Sequence, residues 1–410
     1  MQNLTATTGE KLTLQQLVSS LKEQNLFKKD MVIPSGNLSF ENGKLAISNP
    51  GGNDSLRELL QGSGIAIEAE EGDKIILDPL DQFHAQISEK LKIPRAYYDR
   101  MNGAHLPLRD LNVNHWLQKS DPVNYLVRMF IDAREETGFA RALLSDRFNI
   151  IDNYDVLFAT LEAVKQAGVN LQVDTADITE KKMYVRFICP DIEIQSPELL
   201  KNYRVPKGSP EQGNPGIISG FVISNSEVGA GQFSISPRAV VLACKNGMIR
   251  KDDAFNKIHL GAKMEQFTTV KWSEDTRQKN YELILSQVKD AVKTFCSPEY
   301  LGGWISDIIA KGNEELKHPT DAVKNACRFL YLPEEREADI LNYFIKGADT
   351  TGFGITQALT YYAGQDATAD ERFELESGAV AVLDNLKTID RPAVQQRAKK
   401  ALSGFNPSQN

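Results

Sequence analysis

The sequence lacks the features that mark several large classes of protein. Its 410 residues include only four cysteines, none in a C-x-x-C pair, which argues against a disulfide framework. The five histidines form no H-x-x-x-H or H-E-x-x-H motif, so neither a metal nor another cofactor is expected. No run approaches the ~18 apolar residues of a membrane span, and the opening segment MQNLTATTGEKLTLQQLVSS has no signal-peptide core. We therefore expect a cytoplasmic protein without membrane contact.

Motifs for nucleotide binding and acyl transfer are also missing. The sequence contains no G-x-x-x-x-G-K-[ST] P-loop and no G-x-S-x-G nucleophile elbow. Its Gly229-Ala230-Gly231 turn lacks the third glycine of a dinucleotide-binding fingerprint, because position 234 is Ser234. With no recognisable catalytic constellation, an enzyme ranks behind two binding functions.

The charge is acidic overall and uneven along the chain. There are 55 Asp+Glu against 47 Lys+Arg, a formal net charge of −8. A net acidic protein can still bind nucleic acid, because phosphate contacts depend on local patches. Residues 245–271 form such a patch, with six basic and three acidic residues. A solvated loop face has the same composition, so both interpretations stay open.

Hydrophobic periodicity predicts an α+β fold. Residues 12–29 have helical spacing, short apolar runs after them predict a β-meander, and after residue 272 only long amphipathic segments remain. We predict a mainly antiparallel β-sheet core with packed helices and a helical C-terminal region. The predicted regions are an N-terminal α/β-meander (1–80), an α+β core (81–272) and a helical region (273–410).

Two stretches of the predicted core, residues 81–102 and 220–249, are open to both a functional and a structural interpretation. Residues 81–102 predict two short helices with a turn at Ile93-Pro94. This order is loosely that of a helix-turn-helix, but without a distinctive motif it favours two packed helices that read no DNA groove. Residues 220–249 predict a hairpin whose turn uses Gly229 and Gly231. The side chains of Asn225, Ser226 and Glu227 come just before that turn. They either face a ligand or satisfy the backbone groups of the turn.

Four segments resemble the phage and plasmid family catalogued as domain of unknown function 932. They are SDRFNIIDNYDVL, GFVISNSEVGAGQFSISPRAVVLACKNGM, IHLGAK and TTGFGITQALTYYAGQ, and the resemblance covers roughly residues 85–390. Phe353 stands where the family usually has tryptophan, and Tyr362-Ala363 where it often has an acidic residue. The resemblance implies a protein of a mobile element in a bacterial host, with no assigned catalytic residues. The order of strands and helix is also loosely similar to the phage annealing recombinases RecT, Erf and Red-beta.

The first functional hypothesis is a nucleic-acid-binding protein, acting in single-strand annealing or recombination without nucleotide hydrolysis and as a homo-oligomer. Such a protein needs a basic groove with aromatic side chains for stacking on single-stranded DNA. The candidate phosphate contacts are Arg128, Arg141, Arg147, Lys182, Arg186, Arg238, Lys245, Lys257 and Lys263. The candidate stacking side chains are Tyr184, Phe221 and Phe233.

In its sharpest form this hypothesis places Arg141, Arg147 and Arg186 in one groove. The alternative is that these arginines pair with the protein's own acidic residues, for which Asp146, Asp152 and Glu180 are the candidates. The second functional hypothesis is an interaction protein that does not bind nucleic acid, either an inhibitor of a host factor or an oligomeric scaffold. The acidic total and the helical C-terminal region favour it.

Overall fold

The computed structural model describes residues 12–48, 74–119, 121–132, 137–205, 214–257 and 274–393. The chain divides into two compact units, each assembled from segments that are distant in sequence. Unit 1 comprises Met1–Glu193, Ile218–Ala239 and Ile249–Tyr300. Unit 2 comprises Ile194–Ile217, Val240–Met248 and Leu301–Asn410. One of the short apolar runs that predict the β-meander, GIAIEAE (64–70), lies outside the described residues.

The described residues form the predicted α+β fold. The strands are β1 (Lys28–Pro34), β2 (Leu38–Glu41), β3 (Lys44–Ser48), β4 (Lys74–Pro79), β5 (Asn124–Asp132), β6 (Thr137–Ser145), β7 (Gln172–Ile178), β8 (Met183–Gln195), β9 (Gly216–Asn225), β10 (Phe233–Val241), β11 (Asn246–Ile249) and β12 (Phe255–Lys257). The helices are α1 (Leu14–Phe27), α2 (Asp81–Lys90), α3 (Arg95–Arg100), α4 (Leu106–Lys119), α5 (Asn153–Ala167), α6 (Pro197–Leu200), α7 (Glu274–Phe295), α8 (Pro298–Gly312), α9 (Pro319–Phe329), α10 (Glu334–Gly347), α11 (Gly352–Gln365), α12 (Ala369–Asp384) and α13 (Leu386–Ile389). In the described residues after 273 the regular elements are helices, as predicted.

The first sheet of unit 1 is buried on both faces at β5. Its strand order is β1-β5-β6-β4-β3-β2, and its pairings are antiparallel except between β4 and β6. On β5, Val127 and Met129 face a core that includes Val113 and Leu117 of α4. Leu126, on the opposite face of β5, packs in a second apolar cluster. Because both faces are covered, a polar side chain on β5 is buried as well.

The second sheet has the order β11-β10-β9-β8-β7, with β12 also paired to β10. In unit 1, helices α1, α5 and α7 contribute to the apolar core that includes strands β7 to β10 of this sheet. The strand pattern of residues 217–245 predicts edges that must be covered or paired, which is one argument for self-association. In the structure β9 and β10 both lie inside the sheet. Their backbone groups therefore have neighbours within the chain.

Unit 2 has its own helical core, which explains the motif TTGFGITQALTYYAGQ. Helix α11 is buried along most of its length, and Ile355 and Leu359 pack in this core. Thr351 caps the helix by accepting a hydrogen bond from the Gly354 amide. A Cβ at Gly354 would lie 1.9 Å from the carbonyl oxygen of Asp349, so the close approach of the backbone requires glycine.

Within the described residues, no helix is both long enough and apolar enough to cross a bilayer.

Candidate functional site

Four of the nine predicted phosphate contacts are arginines buried inside the protein. They are Arg128, Arg141, Arg186 and Arg238. The Nη1 atom of Arg186 lies 2.6 Å from Asp177 Oδ2, and that of Arg238 lies 2.7 Å from Asp174 Oδ2. A buried guanidinium that donates to a carboxylate presents no charge to a phosphate in solution.

The groove predicted from Arg141, Arg147 and Arg186 is therefore not present as a solvent-facing surface. Arg141 and Arg186 are buried, whereas Arg147 is exposed in the turn after β6. The alternative of internal pairing holds for Arg141 and Arg186, but their partners are Glu227 and Asp177 instead of the candidates chosen from the sequence. The apolar pattern of residues 139–151 predicts a single strand that includes Arg147. Because β6 ends at Ser145, Arg147 lies in a turn instead.

The remaining predicted contacts are scattered. Lys245 is exposed with a positive φ of 57°, and Lys182 is half-buried at the start of β8. The backbone of Lys257 pairs with Phe233 in the sheet, and Lys263 lies outside the described residues.

The three predicted stacking side chains belong to the core. Tyr184, Phe221 and Phe233 are buried, and the ring of Phe221 stacks on Phe187 with centroids 4.8 Å apart. Their rings are occupied by other side chains, so they offer no face to a nucleic-acid base.

Strand register builds a buried charge network in unit 1. Asp30 on β1 lies directly opposite Arg128 on β5. Arg128 donates from Nε to Asp30 Oδ1 at 2.8 Å and from Nη2 to Asp30 Oδ2 at 2.9 Å, a bidentate pair. The same guanidinium donates to Asp152 Oδ1 and to the carbonyl oxygen of Glu227, each at 2.8 Å.

Glu227, just after β9, joins this network to the start of α5. Its carboxylate accepts from Lys28 Nζ at 2.8 Å, from Arg141 Nη1 at 3.0 Å and from the Asn153 backbone amide at 2.8 Å. The pair Asp152-Asn153 predicts from the sequence that a helix begins here, as α5 does. Asp152 occupies the N-cap position, but its carboxylate bonds to Lys28 and Arg128, and Glu227 serves the helix amide instead.

The network is electrically balanced, with three cations and three anions. They are Lys28, Arg128, Arg141, Asp30, Asp152 and Glu227. Burial opposes the charged form of Glu227, yet the nearby charges, chiefly Lys28 and Arg141, lower the pKa of its carboxyl group well below the usual value. The carboxylate is thus ionised at neutral pH and engaged by donors. This arrangement suits a clamp between β1, β5, β6, α5 and the end of β9 better than it suits acid–base chemistry.

The neighbours of Glu227 also bond to the protein's own groups. Asn225 Nδ2 donates to the Ile151 carbonyl at 2.9 Å and to Asn153 Oδ1 at 2.8 Å. Ser226 Oγ donates to a backbone carbonyl and accepts from the Ala230 amide at 2.9 Å. Gly229 has the predicted positive φ, 72°. These contacts favour the second of the two interpretations of Asn225, Ser226 and Glu227, in which their side chains bond to groups of the protein itself and not to a ligand.

A different surface, which the sequence reasoning missed, combines positive charge with exposed aromatic groups. Residues 90–119 contain six Lys+Arg and two Asp+Glu. Of the two carboxylates, Asp99 is paired with Arg95, and Asp110 is buried and accepts from the Gly43 amide. A count of charges in successive windows of the sequence would have found this segment.

The outer side of α4 forms part of that surface, and hydrogen bonds from the inner side hold the helix against its neighbours. Asn114 accepts from the Phe40 amide at 2.7 Å and donates to the Phe40 carbonyl at 2.9 Å, which covers the edge of β2. The guanidinium of Arg109 donates to Asn102 Oδ1 at 2.6 Å and lies over the rings of Phe40 and Tyr98. The opposite side of the helix is exposed; its side chains include Leu108, Leu111, His115, Trp116 and Lys119.

A half-buried histidine lies beneath α4. His84 Nδ1 is 2.6 Å from the Tyr98 hydroxyl oxygen. Burial, reinforced by the positive charges of Arg109 and Arg95, lowers the pKa of His84 to about 4. Burial also raises the pKa of Tyr98 to about 12. Both rings are therefore neutral at physiological pH.

The side chains that line a groove in unit 2 favour no particular class of ligand. Its volume is about 820 Å³, and both signs of charge line it, including Lys311, Lys317, Glu314 and Asp384. Lys311 already bonds to Asp307 and Asp384 at 2.9 and 2.8 Å. Among the residues that the structure describes, no group of three or more His, Cys, Asp or Glu side chains could hold a metal ion.

Comparisons of the chain with protein-family models, with curated proteins and with solved structures find no match. The resemblance to domain of unknown function 932 therefore stays a prediction from the sequence. The geometry of the described residues carries the functional argument.

Proposed function

We propose that the protein binds single-stranded nucleic acid in the cytoplasm of a bacterial host, as an annealing or recombination accessory protein of a phage or plasmid that does not hydrolyse nucleotides. The observation that carries this proposal is the charge of residues 90–119. This segment has six basic and two acidic residues in a chain with a net charge of −8. Two of the six are engaged within the protein, because Arg109 is buried and Arg95 pairs with Asp81 and Asp99. Lys92, Arg100 and Lys119 are exposed there.

Local charge of this kind matters because a phosphate backbone responds to nearby cations more than to the total charge of the protein. Each neutralised phosphate releases counterions, and this release makes binding tighter at low salt. The buried arginines play no part in this proposal, because carboxylates of the protein neutralise them. The phosphate contacts that we now propose are basic residues on or beside α3 and α4, in place of the arginines on β5, β6 and β8.

The test is fluorescence anisotropy with labelled single-stranded DNA of two unrelated sequences, over a series of salt concentrations. We expect Arg100→Glu and Lys119→Glu each to weaken binding several-fold for both sequences and to reduce the salt slope by about one ion per contact. Lys22→Glu, which reverses an exposed cation on α1, is the matched control and should bind as wild type. Absence of binding by folded wild type at low salt would refute the proposed function.

The second candidate function is an interaction protein, and a specific observation favours it. Leu108 and Leu111 on α4 are largely exposed. Aliphatic side chains neither stack on bases nor pair with phosphates, but a protein partner would bury them. If folded wild type does not bind DNA, the interaction protein becomes the favoured function.

Self-association remains part of the proposal. The strand-edge argument for it is weakened, since β9 and β10 have neighbours within the chain. Its support is now the loose similarity to annealing recombinases, which work as rings or filaments. Light scattering with and without single-stranded DNA tests it, and a monomer mass in both conditions at high protein concentration would refute it.

A further inference from the structure

The outer face of α4 exposes side chains that folded proteins usually bury. At 100° per residue, Leu108, Leu111 and His115 lie within about 60° of one another, and Lys119 and Trp116 extend the face to one side. Trp116 is 46% exposed, whereas Trp304 is 2% exposed. A group of exposed apolar side chains on one face of an ordered helix marks an interaction surface, whereas a single one does not.

The Trp116 ring is held on a rigid support. Val113 and Leu117, on the inner side of the same helix, are buried in the core, and Asn114 bonds twice to Phe40. The ring of His115 meets the indole edge-on, with centroids 5.3 Å apart at 85°. A ring that is already positioned loses little conformational freedom when a ligand stacks on it.

The charge around the ring suits a polyanion. In the segment 100–119, which the structure describes throughout, the single carboxylate is that of Asp110, and it is buried. Asp99, which is paired with Arg95, and the exposed Asp121 flank the segment. Arg100 precedes the helix and Lys119 ends it, both exposed. Lys119 follows Trp116 by three residues, ~4.5 Å along the helix axis and about 60° around it, so one face carries an aromatic ring with a cation beside it.

From this juxtaposition we infer that the outer face of α4 is a stacking platform for the bases of single-stranded nucleic acid, with Trp116 as its principal ring. The inference rests on the proposed function and adds the mode of binding. Stacking on an indole tolerates every base, because each has a π-face, while cations follow the backbone. In a duplex those faces are covered by neighbouring bases, so the platform distinguishes single strands from double strands.

The test compares Trp116→Ala with Trp116→Phe, which keeps a ring, in anisotropy measurements on an oligo(dT) and on a duplex of equal length. Loss of one stacked base corresponds to a decrease in affinity between about 5-fold and 150-fold for Trp116→Ala. Trp116→Phe should retain most of the affinity. Tyr331→Ala is the control, since Tyr331 is a 94% exposed ring in unit 2. Circular dichroism and melting temperature check that each variant is folded.

The outcomes separate the two proposals. Wild type that binds oligo(dT), loses affinity in Arg100→Glu and Lys119→Glu, and is unchanged in Trp116→Ala would overturn the stacking platform and leave the proposed function in place. Equal affinity for oligo(dT) and duplex would also overturn the platform. Wild type that binds neither probe overturns the proposed function itself and points to a protein partner for the exposed leucines.

Discussion

Removal of the charge on Glu227 is the sharpest test of the buried network. In Glu227→Gln the cations Lys28, Arg128 and Arg141 would face only Asp30 and Asp152, which leaves one uncompensated positive charge in the interior. The side chain of Glu227 is 1% exposed, so water cannot screen that charge. Breaking a buried pair by removal of one partner costs about 3–5 kcal/mol of the free energy of unfolding.

The matched control is Glu41→Gln, which removes the carboxylate paired with Lys74. Both side chains of that pair are more than 40% exposed, so we expect a loss below about 1 kcal/mol. Urea unfolding followed by circular dichroism measures both variants. Because the chain has two units and need not unfold in one step, hydrogen exchange should assign the loss to peptides of β1, β5 and β9.

A double variant checks the electrostatic cause. Glu227→Gln combined with Lys28→Met restores the balance of two cations and two anions, so it should recover part of the stability that Glu227→Gln loses. The lowered pKa of Glu227 also sets a pH window: its contribution is present above the ordinary value of 4.5 and is lost as the pH falls toward the lower folded-state pKa. Equal losses in Glu227→Gln and Glu41→Gln would refute the reasoning.

Two further predictions concern other parts of the fold. Since the pKa of His84 is lowered from 6.5 to about 4, the unfolded chain binds its proton more tightly, so stability should fall by up to about 3 kcal/mol as the pH decreases across that interval. In His84→Gln, whose amide can still bond to Tyr98, the melting temperature should depend less on pH over this interval than in wild type. The same pH dependence in both proteins would show that His84 is not the group responsible. Gly354→Ala should destabilise unit 2 by about 1–3 kcal/mol, because its Cβ would meet the Asp349 carbonyl. Gly364→Ala meets open space in the same helix and should leave stability equal or higher by about 1 kcal/mol; similar losses in both alanine variants would contradict the steric explanation.

Local pattern predicted most of the elements, and long-range pairing accounts for what it missed. The spacing of Leu17 and Leu21 predicted α1, and Pro94 predicted the break between α2 and α3, because each depends on neighbours in the chain. The burial of Arg128 depends on Asp30, which is 98 residues away and reaches it only through the register of β1 and β5. The sequence therefore predicted phosphate contacts for the arginines on strands, although Arg128, Arg141, Arg186 and Arg238 are buried.

The candidate site was missed for a related reason. The exposed face of α4 was not singled out, because exposed leucine and tryptophan cannot be told from core residues by composition. The position of Asn114 on the edge of β2 fixes which side of the helix is inside, and this contact joins residues 74 apart in the chain. Charge balance was the only local feature that distinguished this segment.

The Glu227 network also constrains the order of events during synthesis. Lys28 and Glu227 are 199 residues apart, so the first sheet has left the ribosome long before its balancing carboxylate exists. At ~5–20 residues per second, the interval between the emergence of Arg128 and that of Glu227 is ~5–20 s. During that interval Lys28 and Arg141 lack their buried partner, and the N-terminal strands cannot reach their final packing. A nascent chain truncated before residue 227 should therefore remain open to proteases and chaperones. The charge network waits for Glu227, whereas unit 1 as a whole is complete only when the chain up to Tyr300 has emerged.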